Sequence, residues 1–105
     1  MSDDLARHVG DVVTDAIARR EELSRQIFVR DGAIIIDVKR IMAELHPEGP
    51  ARGDDYNVEL SRCKDYGQVI GWVHHLCGKT WMSPERIRKF IDVALKANEL
   101  ALPWS

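Results

Sequence analysis

Apolar positions recur along the first quarter of the chain with the period of a helix. Leu5, Val9, Val12, Ala16, Leu23 and Ile27 fall in one narrow stripe at 100° per residue, widened by Val13 and Ile17. Ser2 or Asp3 can cap this helix, and Asp3 and Asp4 suit the positive end of its dipole. Gly10 costs about 1 kcal/mol relative to Ala in a helix interior. The polar run Arg19-Arg20-Glu21-Glu22 reads as a solvated face.

The period then changes. Ile27 to Arg30 and Ala33 to Asp37 are β-rich runs around Asp31-Gly32, the signature of a two-strand hairpin. Ile34-Ile35-Ile36 does not alternate, so this strand is expected to be covered on both faces. Asp37 can cap a second helix carrying Val38, Ile41, Met42 and Leu45, which His46-Pro47 ends because the residue before proline avoids helical backbone. A loop read as mobile spans about residues 47–57, with two Pro, two Gly and paired Asp. Its Arg52-Gly53-Asp54 matches an adhesion tripeptide, but without a secretion signal it reads as an ordinary polar loop. Tyr56, Val58 and Leu60 alternate with polar residues as in a half-buried strand.

Two helices close the chain. Asp65 with Gln68 forms a capping-box pattern ahead of an apolar arc of Tyr66, Val69, Ile70, Trp72, Val73, Leu76 and Cys77. Gly78 is a natural stop, and Ser83-Pro84 opens the last helix, whose stripe is Ile87, Phe90, Ile91, Ala94, Leu95 and Asn98. Pro103 breaks any continuation. The expected architecture is one small α+β domain over 1–105, in the order α-β-β-α-β-α-α. Helices pack a small, mostly antiparallel sheet, and the C-terminal helices form an antiparallel pair.

Composition narrows the function classes. Two cysteines in 105 residues are too few for a disulfide scaffold, no apolar run reaches membrane-span length, and the N-terminus has no signal-peptide core. A cytoplasmic protein with reduced thiols and no membrane partner is expected. Residues 1–57 carry 8 basic and 12 acidic side chains and residues 58–105 carry 7 and 5, imbalances too small for a phosphate-binding surface or a DNA mimic.

Three kinds of site can be drawn. A helix-turn-helix reading of residues 66–98 would use Lys79, Arg86 and Arg88 on nucleic acid. Against it, Glu85 with Lys89 and Asp92 with Lys96 stand in the order for intrahelical pairs and neutralise the exposed face. A metalloprotein or enzyme could be built on Cys63, His74 and Cys77. The ligand set is short by one, to be borrowed from His46 or His8, and Cys77 lies in the apolar arc. No oxyanion loop, paired carboxylates or phosphate-cradling glycines accompany it, so neither catalysis nor a cofactor is expected. The third site is a protein-binding surface of Trp81, Met82, Leu102 and Trp104, since Trp is enriched at binding hot spots. These residues, and the edge expected beside the Ile-rich strand, would be covered by a homodimer.

The block Tyr56-x-Val58-Glu59-Leu60-x-Arg62-Cys63, followed by Trp72-Val73-x-His75-Leu76-x-x-Lys79-x-Trp81, resembles short uncharacterised proteins encoded by bacterial prophages and mobile elements. The resemblance covers about the C-terminal half and names no activity. It implies an accessory protein that binds a host or viral macromolecule, and no functional residues carry over with it. The leading expectation is a non-enzymatic protein-interaction domain with a protein partner, and the alternatives are a nucleic-acid-binding regulator or a small metalloprotein.

Overall fold

Local signals in the chain become local structure almost one for one. A computed structural model describes the backbone of residues 3–50 and 52–101, and side chains from residue 13 onward within those ranges. Its elements are α1 (Asp3–Gln26), β1 (Ile27–Arg30), β2 (Ala33–Ile36), α2 (Val38–Leu45), β3 (Tyr56–Glu59), a 3-10 turn (Leu60–Arg62), α3 (Tyr66–Leu76) and α4 (Pro84–Ala97). The expected α+β class and element order hold. Leu102, Pro103 and Trp104 lie outside the described residues, as does any cap at Ser2.

The caps predicted for α2, α3 and α4 are made. Asp37, Asp65 and Ser83 accept a hydrogen bond from the backbone N–H three residues on, at 3.0, 2.8 and 3.2 Å. Gln68 reaches back one residue beyond the capping-box position, accepting from the Lys64 N–H at 2.8 Å rather than from that of Asp65. Asn98, expected in the α4 stripe, is instead its C-cap. Its amide donates to the carbonyls of Leu60 and Cys63, tying the helix end to the 3-10 turn.

Asp31 and Gly32 both take positive φ, 53° and 76°, as a two-residue hairpin turn of primed type requires. The sheet is antiparallel in the order β1-β2-β3, with Ile34 opposite both Val29 and Val58, and Ile36 opposite Ile27 and Tyr56. The Ile-rich strand is therefore central, and the edge expected beside it is occupied by β3. Ile34 and Ile36 face the helices, while Ile35 turns to the other face and is buried as well. On that face Arg30 of β1 holds its guanidinium 5.6 Å over the Phe28 ring and 3.6 Å from the Asp55 carboxylate, which precedes β3. The side chain thus spans the central strand on which Ile35 sits, so both faces of β2 are covered as expected.

Residues 27, 34, 36, 38, 41, 58, 63, 69, 76, 90, 94 and 95 form one buried cluster between the sheet, α2 and the α3–α4 pair. Ile27 belongs to β1 rather than to the end of the first helix, because α1 runs into the strand without a loop. The loop ahead of β3 ends at Asp55, two residues earlier than expected. At Gly53, with φ of 123°, a Cβ would sit 2.7 Å from a Val38 methyl, so the loop approaches the start of α2 more closely than any side chain permits.

Phe90 is the largest fully buried side chain and joins α4 to the rest of the core. Phe90→Ala should cost about 3–5 kcal/mol, a large part of the stability of a domain this size. Chemical denaturation followed by Trp fluorescence measures it, and a loss below about 1 kcal/mol would mean that α4 does not close the core through this face.

Candidate functional site

The polar residues at the junction of α1, α2 and α4 behave differently from the sequence expectation. Arg86 is 3% exposed and fully engaged. Its Nε donates to Gln26 Oε1 at 2.8 Å, one terminal nitrogen meets the Glu44 carboxylate, and the other lies 3.3 Å from Ser83 Oγ. Gln26, also buried, donates onward to Glu22 at 3.0 Å and Glu44 at 3.2 Å. Arg19 bridges Glu44 and Glu85, and Arg40 makes a two-pronged contact with Glu22 at 2.7 and 2.8 Å. Three arginines thus face three glutamates around one glutamine.

This arrangement corrects two expectations. Arg86 cannot serve a nucleic-acid surface, because its guanidinium is spent inside the protein. Of the intrahelical pairs expected on α4, Asp92 does not pair with Lys96, its Oδ1 being buried without a hydrogen-bond partner among the described residues. The pair of Glu85 with Lys89 is replaced by contacts to α1: Glu85 bonds Arg19, and Lys89 donates to Ser24 Oγ at 3.1 Å. A helix packed across that face offers better-placed partners than the next turn does. Arg19 and Glu22, read as solvated, are part of the junction for the same reason.

The second feature is aromatic. Tyr56, half-buried at the start of β3, sits 6.5 Å from Trp72, 5.9 Å from Trp81 and 6.2 Å from His75, centroid to centroid. Trp72 and His75 meet edge-on at 5.8 Å, and Lys79 Nζ stands 5.5 Å over the Tyr56 ring. Edge-to-face pairs and a cation over a ring each contribute about 0.5–1 kcal/mol beyond area burial. The cluster pins the start of β3 to α3 and the α3–α4 turn. Trp81, expected as a partner anchor, is half-buried here, and Lys79, expected to reach phosphates, has its charge directed at a ring.

The third feature is an apolar groove of about 470 Å³ where α3 ends and α4 begins, lined by Cys77, Met82, Pro84, Ile87, Arg88 and Ile91. Met82 was expected at a partner surface and lies in it. Cys77 was expected in the core and is exposed. On α3, Val69, Trp72, Val73 and Leu76 turn inward, whereas Tyr66, Ile70 and Cys77 form one flank that α4 leaves open, with Ile70 66% exposed. The groove meets that flank at Cys77. Arg88 stands at the rim, its side chain without a partner among the described residues.

Cys63, His74 and Cys77 do not converge: Cys63 is buried, His74 and Cys77 are exposed, and burial pushes the Cys63 thiol pKa up, away from the thiolate that binds metal or attacks carbon. Among the described residues no three His, Cys, Asp or Glu side chains gather as an ion site, and no helix is long and apolar enough to cross a membrane. Sequence reasoning missed the Arg86 junction and the open flank of α3. The only signal for the first was Gln26 on the helix face that also carries Leu23. Comparison with known families, curated proteins and solved structures gives no match.

The junction makes acid stability testable. Arg40's hydrogen bonds hold Glu22 at a pKa of about 2, and Arg19 chiefly lowers that of Glu44. Carboxylates depressed in the folded state stabilise above their unfolded pKa near 4.5, and that contribution disappears as pH falls toward the folded value. Denaturation midpoints should therefore drop between about pH 4.5 and 2, and the drop should be shallower in Glu22→Gln. At neutral pH Arg86→Ala should cost about 3 kcal/mol by urea titration, the low end for a broken buried pair, because Glu44 keeps Arg19.

Proposed function

We propose that this chain is a non-enzymatic protein-interaction domain whose binding face is the α3–α4 groove. What carries the reading is an apolar floor of Met82, Ile87 and Ile91 combined with the unpaired Arg88 guanidinium on its rim. The half-exposed Tyr66 and the exposed Ile70 extend this surface along α3. Apolar area left in contact with water forgoes about 25 cal/mol per Å², which a partner recovers on docking. A segment presenting a bulky apolar side chain with an acidic neighbour fits both parts, since the first fills the groove and the second meets Arg88.

Groove chemistry supports binding over catalysis. Its lining carries no carboxylate or imidazole, so the exposed Cys77 thiol has no general base beside it there. Nucleic-acid binding is the weaker reading because Arg86 is buried and Lys79 is held over Tyr56, leaving Arg88 alone of the three cations. The prophage resemblance of the C-terminal half agrees with an accessory protein that binds a host or viral protein.

Photo-crosslinking in the cells that encode the chain tests this. With benzoylphenylalanine replacing Met82, one discrete adduct with a different protein is expected. It should be lost in an Ile91→Asp background and absent with the crosslinker at Lys39, an exposed position on α2. No adduct, an equal adduct at Lys39, or an adduct made only of two copies would overturn the proposal.

A further inference from the structure

α1 is longer than the body it packs on. Its 24 residues span about 36 Å, but the contacts described for it come from its last two turns: Arg19, Glu22, Ser24 and Gln26 in hydrogen bonds, and Leu23 buried. Further up, Val13 and Ile17 are each 52% exposed, and Ala16 is exposed as well. The overhang shows in the dimensions. The radius of gyration is 16.2 Å, against about 13 Å for a compact domain of this length, and the longest extent is 53 Å.

The spacing along α1 is that of a coiled-coil seam. Leu5, Val9, Val12 and Ala16 follow at 4-3-4, and the same line continues at 3-4-3 through Arg19, Leu23 and Gln26. The lower half of this line is closed by the molecule's own body through the Arg86 junction. The upper half is wholly apolar in sequence, and at its foot, among the described residues, positions 13–18 are exposed all round the helix. An isolated helix of about 15 residues is marginal in water, so this segment needs a cover to persist.

We propose that the cover is α1 of a second copy, packed antiparallel over residues 3–17 about a two-fold axis. Direction follows from geometry. The seam faces the protein's own body below Ala16, so a partner helix must arrive on that same side and end where the body begins. A parallel pair would put both bodies in the same space, whereas an antiparallel pair puts them at opposite ends. In the matching register position 5 lies opposite position 16 of the partner chain and position 9 opposite position 12, so the apolar line pairs with itself.

Charge agrees with this placement. Where the seam meets the body, a cleft between α1 and α4 runs past Ala16. Two of its cations, Arg20 and Lys96, have no side-chain partner among the described residues and do not line the Met82 groove. An antiparallel partner delivers the N-terminal end of its helix there, with Asp3 and Asp4. Acidic residues in a first helical turn and unpaired cations at the receiving end are complementary. This surface meets the Met82 groove only at Arg88, which is left to that groove, and it replaces Trp81 and Trp104 as the basis for the expected homodimer.

Light scattering over a concentration series should give about 24 kDa, twice the 12.0 kDa of one chain. Ile17→Asp should weaken the dimer at least tenfold while leaving the Trp fluorescence of the body unchanged. Direction is read by disulfide trapping in a Cys77→Ser background. Leu5→Cys and Ala16→Cys chains should crosslink when mixed under oxidising conditions, and neither should crosslink alone. A mass that stays at 12 kDa at the highest concentration would overturn the dimer, and ready self-crosslinking of Leu5→Cys alone would overturn the antiparallel pairing.

Discussion

A buried guanidinium has to be met on every side, and the Arg86 side chain sets the terms on which α1, α2 and α4 come together. Its guanidinium is shut off from water, so carboxylate and amide groups must converge on it from other elements. Gln26 comes from the end of α1, Glu44 from α2, and Ser83 from the cap of α4 itself. Gln26 is also the last residue before β1, so the same contact fixes where the sheet begins relative to the helices. The surrounding Arg19, Glu22, Arg40 and Glu85 then balance the charge, three against three. An apolar junction of equal volume could be as stable. The directional bonds make α1 meet the body at one rotation and one height.

That orientation has consequences further out. With Arg19 and Gln26 committed to the junction, α1 continues upward from the body, and Val13, Ala16 and Ile17 just above the junction are exposed. Similarly, α3 is held by α4 on one flank and by the Tyr56 aromatic cluster on the other. Neither support reaches Ile70 and Cys77, so a helix with a wide apolar arc is only partly covered. The two surfaces proposed for partners thus lie where the junction and the aromatic cluster stop.

The aromatic residues illustrate how composition can mislead about roles. Three tryptophans in a small chain invite an interface reading, yet Trp72 and Trp81 turn toward Tyr56 and fasten β3 to the helices. Their rings are amphipathic and half-exposed, which suits a seam between elements as well as a seam between proteins. Exposed apolar area falls instead to aliphatic residues: Val13 and Ile17 on α1, Ile70 on α3, and the Met82 groove beside it.

By itself the sequence determined the element order, the hairpin turn, the three helix caps and the double burial of the Ile34–Ile36 strand. These depend on contacts within a few residues, where a side chain of the right type finds a backbone group the chain geometry has already placed. The α1 seam was legible for the same reason, since a 3.6-residue period specifies a face. Only the tertiary structure decided which faces would be covered. Arg86 is read as a spare cation until Gln26 and Glu44 arrive from 60 and 42 positions away. Cys77 and Ile70 are read as core until α4 settles on the opposite flank of their arc. Val13, Ala16 and Ile17 of α1 are read as packed until the folded body leaves them exposed. In each case the period names an apolar face without saying how far its partner extends, because that length is set by the meeting of elements remote in the chain.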